Sequence, residues 1–119
     1  MRIALVALST AAAACFAAPV IDKAHAFSSF YAVINSSGST TRGSGVQSST
    51  RVSTGRYNVT FTRKVKDCGY VASLTSTTGG SATASAHPNP SGAIIQVYTF
   101  GPTGTSANQN FTLMVSCAP

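Results

Sequence analysis

The chain reads as an all-β protein, a small antiparallel β-sandwich of jelly-roll type stapled by one disulfide. Three observations predict it. Apolar residues recur at every second position in the best-defined segments, as in Tyr57, Val59, Phe61 and again in Phe111, Leu113, Val115, which is the period of a half-buried strand. Gly, Pro, Ser and Asn clusters separate these segments, and no stretch after residue 26 keeps a helical period. Once an N-terminal leader is removed, two cysteines remain, Cys68 and Cys117, an even number suited to an oxidising compartment.

The leader comes first in the chain. Met1-Arg2 is followed by an apolar run, Ile3 to Ala18, and then by Ala24-His25-Ala26. A short basic start, an apolar middle and small residues at the cleavage positions mark a secretory signal. Residues 1–26 are therefore read as a signal peptide and 27–119 as a single domain, too small for two cores. The apolar run is short for a membrane span, so no transmembrane segment is expected in the mature form. Ala12 stands three places before Cys15, where lipidation favours a leucine-like residue. The expected location is extracellular, secreted or at the cell surface, and the alanine-rich leader has a bacterial look.

Phe30 to Ile34 forms a short β-prone run, ended by the turn residues Asn35-Ser36-Ser37-Gly38. Ser39 to Ser49 is polar and reads as a loop or as a weak strand centred on Val46. Thr54-Gly55 reads as a turn. Arg56 to Arg63 is the clearest strand, with Tyr57, Val59 and Phe61 on one face and Arg56, Asn58, Thr60 and Thr62 on the other. Val65 continues the inner parity. Cys68 does not, so a bend near Lys66-Asp67 is needed to bring it inward. Tyr70 to Leu74 is a further strand. Thr75 to Ser85 reads as a loop or a loose edge, and His87-Pro88-Asn89-Pro90 as a stiff turn.

Ala93 to Phe100 places Ile95 and Val97 on one side and Ile94, Gln96, Tyr98 and Phe100 on the other. Both faces need cover, as in a strand near the middle of a sandwich. Phe111, Leu113 and Val115 make the last inward face, and Cys117 keeps its parity. These strands account for at least five elements in two facing sheets. A Cys68–Cys117 bridge would close a loop of roughly 50 residues and stabilise the fold by about 3 to 4 kcal/mol.

Composition narrows the chemistry. Beyond the leader the chain holds one acid, Asp67, and one histidine, His87. Paired-carboxylate hydrolysis lacks its second carboxylate, and neither a catalytic metal nor a calcium cage has enough ligands. Both cysteines are better used in a disulfide than as nucleophiles. Asp67, His87 and the abundant serines keep a secreted hydrolase as a minor reading, although no Gly-x-Ser-x-Gly elbow occurs. Phosphate-binding glycine motifs are absent. The reading is a non-enzymatic protein without a cofactor.

Charged residues make up only 8% of the chain, so the placement of each one is informative. Arg42, Arg51, Arg56, Arg63, Lys64 and Lys66 are the candidate anion-binding surface, for surface glycans or lipid headgroups. The competing reading is solubility and the blunting of an edge strand. Arg63 shares the inward parity and is expected at the rim, its stem packed and its guanidinium in water. Nucleic acid is not expected, because basic and aromatic residues are not interleaved as on a single-strand platform. Asn58-Val59-Thr60 and Asn110-Phe111-Thr112 match the N-glycosylation pattern.

Five segments, Tyr31 to Asn35, Arg42 to Val46, Gly55 to Phe61, Cys68 to Ala72 and Phe111 to Cys117, resemble those of small secreted or surface bacterial β-sandwich domains of uncharacterised function. Gly55 to Phe61 also resembles the strand pattern of C1q-like and phage-fibre head domains. The latter resemblance implies a jelly-roll sandwich and assembly with itself, often as a trimer. Neither resemblance assigns a site residue. The function expected is a structural or adhesion module, with anionic glycan or lipid binding as the alternative.

Overall fold

A computed structural model describes residues 27–76 and 79–119. The segment read as a leader lies outside the described residues. The compact unit runs from Ser29 to Cys117. Eight strands build it: β1 (Ser28–Ile34), β2 (Thr40–Ser44), β3 (Val46–Ser53), β4 (Arg56–Phe61), β5 (Gly69–Leu74), β6 (Ser81–Ala86), β7 (Ile94–Phe100) and β8 (Phe111–Cys117). They form two four-stranded sheets, in the orders β2-β1-β8-β5 and β3-β4-β7-β6. The fold is an all-β antiparallel sandwich, as the alternating pattern predicts.

The large apolar side chains sit on the four central strands. Ala32 and Ile34 of β1, Phe111, Leu113 and Val115 of β8, Tyr57, Val59 and Phe61 of β4, and Ile95 and Val97 of β7 are all buried. They meet between the sheets as one core. The Tyr57 and Phe111 rings meet edge-on with centroids 5.0 Å apart, a contact that adds about 1 kcal/mol to simple burial. The Tyr57 hydroxyl donates to the Ser36 carbonyl at 2.8 Å, tying β4 to the turn after β1. The outer side of β7 is half-buried at Ile94, Gln96, Tyr98 and Phe100, as its two apolar faces suggest.

The turns follow their composition. Asn35 Oδ1 accepts from the Ser37 and Ser39 backbone N–H groups at 3.1 and 3.0 Å, which fixes the first hairpin turn. Gly55 has φ +67°, and a Cβ there would lie 2.5 Å from the Thr99 carbonyl oxygen. Only glycine suits that position.

Two polar stretches differ from the simplest reading. Ser39 to Ser49 is not a loop: it supplies β2 and the first half of β3. Ser81 to Ala86 is the edge strand β6, the loose-edge alternative for that region. The bend required before Cys68 occurs at Lys66-Asp67, where the Cys68 N–H donates to the Val65 carbonyl at 2.9 Å. Cys68 then bonds Cys117 across a sequence separation of 49, with Cα atoms 4.6 Å apart. Gly69 pairs with Ser116, so the disulfide extends the β5–β8 ladder by one step.

Candidate functional site

Alternation on β8 sends Phe111, Leu113, Val115 and Cys117 inward and Met114 outward. On β5, Tyr70, Ala72 and Leu74 face the core side, while Val71 faces out. Val71 and Met114 are directly paired across the two strands. They remain 61% and 57% exposed, a large apolar exposure for two adjoining side chains. Tyr31 lies on the same outward face of β1, between buried Ala32 and half-buried Phe30, and is 39% exposed.

A depression of about 320 Å³ opens on this face, lined by Ser29 of β1, Gly69 to Val71 of β5 and Met114 to Ser116 of β8. The Gly69 Cα leaves room: a Cβ there would meet nothing closer than the Ser116 carbonyl oxygen at 3.8 Å. Ser29 and Ser116 are the polar side chains at its margin. Such a surface can bury apolar area. It does not bring a nucleophile to a base.

The six predicted cations do not form one patch. Arg42 is on edge strand β2, opposite Val33. Arg51 on β3 donates from Nη1 to the Ser36 carbonyl at 3.4 Å. Arg56 opens β4 on the outer face, its guanidinium carbon 5.6 Å from the Tyr98 ring centroid. Its Nε, like Asn58 Oδ1, is shielded without a hydrogen-bond partner. Arg63, Lys64 and Lys66 follow the other end of β4, about 17 Å away along a strand of this length.

These last three are brought together. Buried Val65 anchors their loop. The Val65 and Lys66 N–H groups both donate to the Gly92 carbonyl, at 2.8 and 3.0 Å, which docks the loop on the β6–β7 connection. The Lys64 and Lys66 stems cross the same glycine: a Cβ on Gly92 would meet Lys64 Cγ at 2.9 Å and Lys66 Cδ at 3.3 Å. Arg63 sits at the rim, with its guanidinium carbon 5.8 Å from the Phe30 ring centroid and its Nε donating to the Lys64 carbonyl at 3.2 Å.

The two residues of the hydrolase reading are placed as loop groups. Asp67 is exposed in the turn beside Lys66. His87 is half-buried, and its Nδ1 accepts from the Asn89 N–H at 3.0 Å. Among the described residues no group of three potential metal ligands gathers, and no helix is long and apolar enough to cross a membrane. Of the two sequons, Asn58 is half-buried on β4. Asn110 is exposed, and its Oδ1 accepts from the Ser36 N–H at 2.7 Å.

The Val71–Met114 face was absent from the sequence-predicted site. Its parity could be read on each strand, but the β5–β8 pairing that joins the two residues could not. No family model matches the chain, and no curated protein or solved structure matches it closely enough to count as a relative.

Proposed function

We propose that this protein is a non-enzymatic extracellular assembly and adhesion module, and that it associates with itself through the outer face of the β2-β1-β8-β5 sheet. One observation carries the reading: Val71 and Met114, paired across adjacent strands, are both more than half exposed beside an apolar depression. A folded surface gains from covering paired apolar side chains, by about 25 cal/mol for each Å² removed from water. Serines at the margin of the depression suit a rim that stays wet.

The test is the solution mass of the secreted protein, by sedimentation at low and high salt. Association through apolar surface does not weaken when ions screen charge. An oligomer is expected at both salts, and Val71→Ser with Met114→Ser should convert it to a monomer of unchanged fold. A wild-type monomer at every concentration and salt would overturn the reading.

A further inference from the structure

We infer that the end of the sandwich formed by the β4–β5 and β6–β7 connections is a binding site for an anionic polysaccharide, held by Arg63, Lys64 and Lys66. The inference goes beyond self-assembly and uses a different surface. Three cations within four residues would ordinarily repel and splay apart. Here the backbone holds them. Val65 is buried, two successive N–H groups share the Gly92 carbonyl, and the disulfide at Cys68 fixes the loop's far end. Both lysine stems pass within 3.3 Å of one point above Gly92. A side chain at position 92 would push them apart, so the absence of one lets the two lysine stems pack side by side over the same glycine. The one described acid, Asp67, is exposed in the turn directly after Lys66, and the cluster keeps a net positive charge. An anion arriving there would meet a preorganised positive site and would not have to gather three flexible chains.

The neighbouring groups favour a sugar polymer. Asn89 and Ser91 stand exposed on the facing connection. Asn89 Oδ1 is occupied by the Ser91 N–H at 2.9 Å, and the amide N–H groups of this exposed residue supply donors for hydroxyl or carboxylate oxygens. The guanidinium of Arg63, steadied over Phe30, offers the planar fork that matches sulfate and carboxylate. A bilayer surface is the weaker fit. Surface helices and loops that bind membranes pair their cations with apolar side chains that enter the lipid, and here Val65 is buried while Phe30 is covered by Arg63.

The experiment measures binding of the secreted protein to a heparin oligosaccharide at several salt concentrations. Dextran of the same length and phosphatidylglycerol vesicles serve as the other probes. The oligosaccharide is expected to bind, with affinity falling steeply as salt rises. Lys64→Gln with Lys66→Gln should weaken it by about tenfold or more, taking each lysine near an anionic surface at its usual strength. Arg42→Gln with Arg51→Gln should change it less than about twofold, since those side chains lie elsewhere. Both pairs are exposed, so thermal melting should stay near wild type. Equal losses from both pairs would show mere net charge and overturn the site. So would unchanged affinity in the lysine variant, equal binding of dextran, or vesicles bound in preference to the oligosaccharide.

Discussion

Tyr57 shows how much one side chain can carry in so small a core. Its ring is fully buried against Phe111, yet its hydroxyl reaches the Ser36 carbonyl in the turn after β1. The ring contributes by excluded water and dispersion, the hydroxyl by one hydrogen bond, and the two separate cleanly by substitution. Tyr57→Phe keeps the ring and is expected to lose about 1 kcal/mol of stability. Tyr57→Ala removes both and is expected to lose about 3 to 5 kcal/mol. Urea unfolding monitored by far-ultraviolet circular dichroism reads both values. A Phe variant as stable as wild type would mean that the hydroxyl bond adds nothing beyond what water supplies. The burial of this ring is readable from its parity with Val59 and Phe61, but the partner of its hydroxyl is not. Ser36 is brought near only when the two sheets close.

At the scale of the strand, the disulfide is a ladder rung that hydrogen bonding does not supply. It joins the start of β5 to the end of β8 directly beyond the Gly69–Ser116 pair. Replacing both cysteines with alanine frees a long loop in the unfolded chain and is expected to cost about 3 to 4 kcal/mol. The comparison is the urea midpoint of the oxidised protein against that of Cys68→Ala with Cys117→Ala. A loss under 1 kcal/mol would mean that β5–β8 pairing holds that end unaided. The same scale explains which elements the sequence reveals. β4 and β8 set large apolar residues on one parity, so their period has high amplitude, and β7 is a β-prone run with apolar residues on both faces. β6 alternates too, Ser-Ala-Thr-Ala-Ser-Ala, with the alanines half-buried and the hydroxyls out. The contrast between alanine and serine is too small to separate a strand from a polar loop. β2 has no buried position at all; backbone pairing with β1 makes it a strand, and no side-chain pattern can report that. The site divides in the same way. Lys64 and Lys66 are evident as charges, whereas the packing of their stems side by side depends on Gly92, remote in sequence.

Across the whole molecule, the apolar face and the cationic end are separate surfaces, one on the side of a sheet and one on connections at an end. Val71 and Met114 sit on paired strands and Lys64 and Lys66 on a connection, so each variant pair is expected to spare the other property. The proposed assembly would nevertheless change what the cationic end can do. A single copy presents three clustered cations; an oligomer presents several such clusters on one body. On an immobilised anionic polymer the second contact becomes intramolecular, and avidity rises without any new bond. For a short soluble oligosaccharide that spans one cluster, no such gain exists. Val71→Ser with Met114→Ser is therefore expected to leave affinity for the short oligosaccharide unchanged and to weaken retention on the immobilised polymer by roughly tenfold or more. Surface plasmon resonance on heparin-coated and uncoated chips, beside solution titration with the oligosaccharide, distinguishes the two. Equal weakening in both formats would mean that the apolar face contributes to the anion site itself. Equal retention on the polymer would mean that assembly and adhesion are uncoupled, and that each copy binds alone.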